Sequence, residues 1–174
     1  MFLRLYELDN EINMVLNYNQ TLEIKGAIAA ALERVYIHDF SLIERQAHEK
    51  SISFRFGLNF SEIIEKTSFG NDTDLTIDAE YNRNQLNAKN MNGFDAPQGI
   101  MPDIILHHRD FNDKNIVVIE FKGHWARIGR DDEKLRGFTH QILNDYHFGL
   151  GVFIRLGPTL DECALTFYKD GDLE

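Results

Sequence analysis

Apolar residues in the first third of the chain recur at helical intervals. Ile24, Ala27, Ile28, Ala31, Leu32 and Val35 mark a helix over Glu23 to Tyr36. Ser41-Leu42-Ile43-Glu44 has the form of a capping box, and the pattern after it predicts a long helix to about Lys66. Ile52, Phe56, Phe60 and Ile63 lie along one side of that helix, and Gly57 weakens its continuity. Ahead of both, Phe2, Leu3, Leu5 and Tyr6 fit either a short strand or an arm packed on the main body.

The period changes after a turn at Ser68 to Asp72. Leu75 to Tyr81 alternates like a strand, with Thr76, Asp78 and Glu80 on one side. Arg83 to Gly99 is rich in Asn and Gly and reads as a long surface loop, with Arg83 and Lys89 making it a substrate-facing flap. Two apolar runs follow, Ile104 to Leu106 and Ile116 to Ile119. The polar segment Asp110 to Asp113 between them makes this a β-hairpin. Asp131 and Asp132 suit the start of a helix, which Leu135, Phe138, Ile142 and Tyr146 carry on to residue 146. Lys134 and Gln141 occupy its polar side. Phe148 to Leu156 is apolar enough for a buried strand, Ala164 to Tyr168 a peripheral one, and the polar tail after it is expected to fray. The order predicts an α/β fold, a mixed central sheet with helices on both faces. The helix over 131–146 is long enough for a crossover between parallel neighbours.

Length and composition narrow the class. The 174 residues, 43% hydrophobic and 26% charged, fit one domain spanning 1–174. No apolar run approaches 20 residues, so no membrane span is expected. The N-terminus has no secretory pattern, and the lone Cys163 offers neither a disulfide nor a zinc cluster; a cytoplasmic protein is the expectation. The net charge of -10 argues against a broad surface that coats nucleic acid. It is compatible with carboxylates that carry metal.

The hairpin concentrates the candidate chemistry. Centred on its turn, it sets Asp103 across from Glu120, with Cβ atoms about 5 Å apart. Glu120 and Lys122 leave the same face of one strand. Two readings are open: a divalent-cation site, for which oxygen ligands suit Mg²⁺ or Mn²⁺, or a salt bridge at the hairpin's rim. Glu49, one turn before Ile52, points toward the packed side; it either reaches the end of the sheet or pairs with Arg45. Asp78 and Glu80 are further acids, on an edge strand. Arg127, Arg130 and Lys134 are candidate contacts to a phosphate backbone or ordinary surface charge.

Pro102-Asp103, a hairpin and Glu120-Phe121-Lys122 together resemble the PD-(D/E)xK nuclease superfamily, over roughly residues 41–168. His48-Glu49 on a helix and Glu80-Tyr81-Asn82-Arg83 at a strand end are similar to a group of small stand-alone bacterial members. The resemblance implies a restriction-endonuclease-like αβββαβ core with an N-terminal helical extension. It also implies a Mg²⁺-dependent nuclease acting on nucleic acid, DNA above all, with Mn²⁺ as the alternative ion. Asp103 and Glu120 would bind metal, Glu49 would add an auxiliary acid, and Lys122 would position water and stabilise the transition state. Arg83, Arg127, Arg130 and Lys134 would hold substrate. Gln141 and Tyr146 are one residue too far apart for a further signature of some branches, which is not carried over. Cutting both strands of a duplex would favour a homodimer. The competing reading is a catalytically inactive module on the same fold, binding or regulating within a larger assembly.

Overall fold

The computed structural model describes residues 16–84, 86–91, 93–94, 96–142 and 144–174. The expected N-terminal strand or arm lies outside them. Helix α1 runs Tyr18–His38, longer than its apolar stripe alone predicts. The extension comes from Asn17, whose side chain accepts the Gln20 N–H while Gln20 returns the bond to the Asn17 N–H. The expected single helix from Ser41 to Lys66 is two helices. Helix α2 is Phe40–Glu44, without a side-chain cap at its start. Gln46 then turns left-handed at φ 51 and breaks the chain. Helix α3, Glu49–Ile64, restarts under an N-cap in which His48 Nδ1 accepts the Lys50 N–H. Gly57 does not interrupt α3; it lets Ile104 of the sheet come close, where a Cβ would lie 3.0 Å from its Cδ1.

Strand β1 is Leu75–Ala79, β2 Arg83–Asn84, β3 Asn87–Ala88, β4 Ile104–His108 and β5 Asn115–Gly123. Helix α4, Asp131–Thr139, precedes β6, Leu150–Leu156; β7 is Ala164–Lys169 and β8 Asp172–Leu173. Six strands form one sheet in the order β1-β4-β5-β6-β7-β8, and β2 and β3 form a separate small hairpin within the expected loop. Neighbours are antiparallel except β5 and β6, which run parallel on either side of α4 in the chain. The tail does not fray as expected: β8 pairs with β7, and Lys25 holds Glu174 at 2.8 Å.

Alternation along the central strands divides the core. Ile104, Leu106, Val117, Ile119 and Val152 pack with α1 and α3. Ile105, Val118 and Phe153 pack on the opposite side with Leu135 and Phe138 of α4. The molecule is thus a mixed α/β fold, a central sheet flanked by helices, as the pattern predicted.

Helix α4 stops seven residues early. Phe148 donates its N–H to the Phe138 carbonyl, and the Asn144 side chain bonds the Gly137 carbonyl. The last carbonyls are satisfied by the returning chain, so helix continuation gains nothing there. Tyr146 is buried as expected, but from a turn, while Ile142 is 84% exposed.

Candidate functional site

The β4–β5 register pairs Ile104 with Ile119. Asp103 therefore falls across from Glu120, as the hairpin argument required. Asp103 Oδ2 accepts the Phe121 N–H at 2.7 Å. Glu120 is 3% exposed, and its Oε1 lies 2.7 Å from Lys134 Nζ on α4. That contact is not an aligned hydrogen bond, since Oε1 has no hydrogen-bond partner, and it becomes an ion pair once Glu120 has lost its proton. Glu49, the first residue of α3, reaches the far end of β5. Its Oε1 accepts the Gly123 N–H at 2.9 Å and its Oε2 the Lys122 ammonium at 3.2 Å. The Arg45 pairing considered for Glu49 is not what the fold uses. Asp131 is buried beside this group and accepts the Gly129 N–H at 3.3 Å.

Burial dominates the electrostatics. It pushes the Glu120 carboxyl up to about 8, against the lowering effect of Lys134. It also raises Asp103, against the Phe121 N–H and the ammonium groups of Lys134 and Lys122. For Lys122 burial works downward, yet the bond to Glu49 and the charges of Asp131 and Asp103 outweigh it, so its pKa is raised and it stays an ammonium. Four carboxyl groups, Asp103, Glu120, Glu49 and Asp131, one of which keeps its proton to about 8, thus face two ammonium groups. Two ammonium groups and the Glu120 proton offset most of the carboxylate charge without any added ion.

This overturns the metal-dependent reading. Among the described residues, no three His, Cys, Asp or Glu side chains come together to hold a metal ion. Asp103, Glu120 and Glu49 do not converge on one point as Mg²⁺ or Mn²⁺ would require. The physical reason is that each acid is turned onto its own donor: a backbone N–H for Asp103, Lys134 for Glu120, Lys122 and Gly123 for Glu49. The expectation of a Mg²⁺-dependent PD-(D/E)xK nuclease, with its metal-binding centre and cofactor, is corrected accordingly.

The remaining candidates are scattered. Arg83 is exposed on β2 and Arg127 is exposed before α4. Arg130 bonds Glu133 at 2.9 Å and the Gly93 carbonyl at 2.8 Å, and lies over the Phe94 ring. Lys134 is turned inward onto Glu120. Lys89 does not face substrate from a flap: it is 3% exposed, its ammonium bonds the Arg83 carbonyl, and it sits 4.5 Å from the centre of the Tyr81 ring. Desolvation brings its pKa down to about 8. Asp78 and Glu80 do not share a face as the strand reading had it. Glu80 turns left-handed at φ 51 and pairs with Lys50, whereas Asp78 binds His107 at 3.0 Å and Arg109 at 2.6 Å.

Sequence reasoning missed Lys134 as the partner of Glu120 and missed the Asp78–His107–Arg109 cluster. For Lys134 a signal existed: it lies one turn after Asp131, on the face of α4 that meets the sheet. For His107 the signal was a polar residue in register with the inward-facing Ile105.

Comparison of the chain with models of protein families, with curated proteins and with solved structures gives no match. Among the described residues, no helix is long and apolar enough to cross a membrane.

Proposed function

We propose that the chain is a non-catalytic binding or regulatory module that works within a larger assembly. Residues 1–174 form one domain in this reading, and its place is the cytoplasm. The order α3, β1, β4, β5, α4, β6 is the αβββαβ order implied by the resemblance to PD-(D/E)xK proteins, and it supports a shared core. Asp103, Glu120, Lys122 and Glu49 lie along the end of β5, each on its own partner, where that core would carry its chemistry. The observation that carries the proposal is the buried Glu120–Lys134 pair. An ammonium group already stands beside the carboxyl that a catalytic cation would need. A centre whose charge is largely offset from within holds the sheet end together and leaves little charge for metal to relieve.

Titration with Mg²⁺ and then Mn²⁺, followed by calorimetry, tests this. The module gives no saturable heat with either ion. Stoichiometric binding that disappears in Glu120→Gln contradicts the proposal.

Nucleic acid, DNA first, is a second partner class, favoured by the exposure of Arg83 and Arg127. Such a contact is electrostatic and weakens steeply with salt, against the chain's own net charge of -10. A duplex-binding titration at two salt concentrations distinguishes it from binding to a protein partner.

A further inference from the structure

The two edges of the six-stranded sheet are treated differently. At one end β8 is two residues long, its chain end is tied by the Lys25–Glu174 pair, and Glu174 donates back to Phe167. At the other end β1 is five residues long and pairs only with β4 within the sheet. Glu80 donates its N–H to the Asp103 carbonyl, which fixes the alternation. Thr76 and Asp78 therefore face β4 with their backbone groups, and Leu75, Ile77 and Ala79 face outward. Among the described residues, Leu75 N–H finds Asp72, while the backbone N–H and C=O of Ile77 and Ala79 have no partner on that side.

The apolar surface near this edge belongs to α3. Lys50 pairs with Glu80 at the end of β1, which puts that side of the helix over the edge. Phe54, one turn on, is 57% exposed, and Leu58 after it is 46% exposed. Leu75 and Ile77 lie on the same side of the sheet, packed against the larger core.

We propose that β1 pairs with β1 of a second copy, antiparallel about a two-fold axis through Ile77, giving a homodimer with one continuous sheet. The strand is complementary to itself in that register. Ile77 meets Ile77 of the other copy, and the two exchange both backbone hydrogen bonds. Ala79 N–H meets the Leu75 carbonyl, twice by symmetry. Leu75 N–H, already held by Asp72, is not needed. On the face opposite α3, Thr76 falls beside Asp78, so the hydroxyl donates to a carboxylate and no like charges oppose within the strand. Asp78 has lone pairs to spare beyond those used by His107 and Arg109. Pairing ends at Glu80 because that residue turns left-handed. On the α3 side Phe54 and Leu58 approach the other copy, and the isologous geometry closes at two chains. This inference rests on the edge alone and is independent of the function proposed above.

Sedimentation over a concentration series, with a cross-link, tests it. The wild-type chain shifts from a species of 20.2 kDa to one of twice that mass. Phe54→Asp, on an exposed side chain, weakens the dimer about tenfold or more. Ile77→Cys in a Cys163→Ser background forms a disulfide-linked dimer on oxidation, because directly opposed residues of a hydrogen-bonded pair have Cα atoms about 5.5 Å apart. A wild-type chain that stays at 20.2 kDa throughout overturns the proposal. So does a dimer that gives no cross-link at position 77.

Discussion

Glu120 and Asp78 are both acids of the sheet, yet their surroundings drive their ionisation in opposite directions. Burial holds the Glu120 proton to about 8, whereas the unfolded chain releases it near the ordinary carboxylate value of 4.5. Between those values the folded state binds the extra proton, so stability falls as pH rises through that window. Glu120→Gln removes this dependence; urea denaturation at pH 5 and pH 8 should show the wild type losing at least about 1.4 kcal/mol more than the variant, the equivalent of one pKa unit. For Asp78, burial works upward, but the bonds from His107 and Arg109 win and bring it down to about 2. Its contribution is present above the unfolded value and is lost as pH falls toward 2. Asp78→Asn should cost about 2 kcal/mol at pH 7 and flatten the acid limb below pH 4. His107, 2% exposed, loses its charged partner in that variant. Equal acid sensitivity in both proteins would remove Asp78 from the account.

The elements show which parts of the pattern carry information. Helix α1 announces itself through six apolar positions, yet its true start depends on Asn17 and Gln20, a reciprocal cap that apolar periodicity does not register. Asn17→Ala should cost about 1 kcal/mol in chemical denaturation and leave the sheet intact. The break between α2 and α3 was hidden for the opposite reason. Gln46 has no special claim to a left-handed conformation, and a capping-box match at Ser41 drew the start to the wrong place. Helix α4 illustrates a third limit. Phe138 and Tyr146 both belong to the core, and spacing alone suggested that one helix carries both. The chain instead turns back at His140 and delivers Tyr146 from a turn, where its hydroxyl bonds the Asn90 carbonyl at 2.7 Å. Buried side chains report depth, and depth is reached from coil as well as from helix.

At the scale of the whole molecule, the sheet with helices on both faces was legible because it follows from period and strand order. The juxtaposition of Asp103 with Glu120 was legible because antiparallel register fixes it. What the sequence did not disclose is how each acid is neutralised. Lys134 lies 14 residues from Glu120 in the chain, on another element, and only the packing of α4 on the sheet brings them to 2.7 Å. A lysine on a polar helix side looks like a phosphate contact until the strand facing it is known. The account's central claim is that Glu120 and Lys134 complete one another inside the fold. A double-mutant cycle with Glu120→Gln, Lys134→Met and both together, read as unfolding free energy in metal-free buffer at pH 9, where Glu120 is ionised, measures it most directly. The account predicts a coupling of about 2 kcal/mol, with Lys134→Met alone the most destabilised because it strands a buried acid. Additive single effects, with no coupling between the two positions, would contradict it.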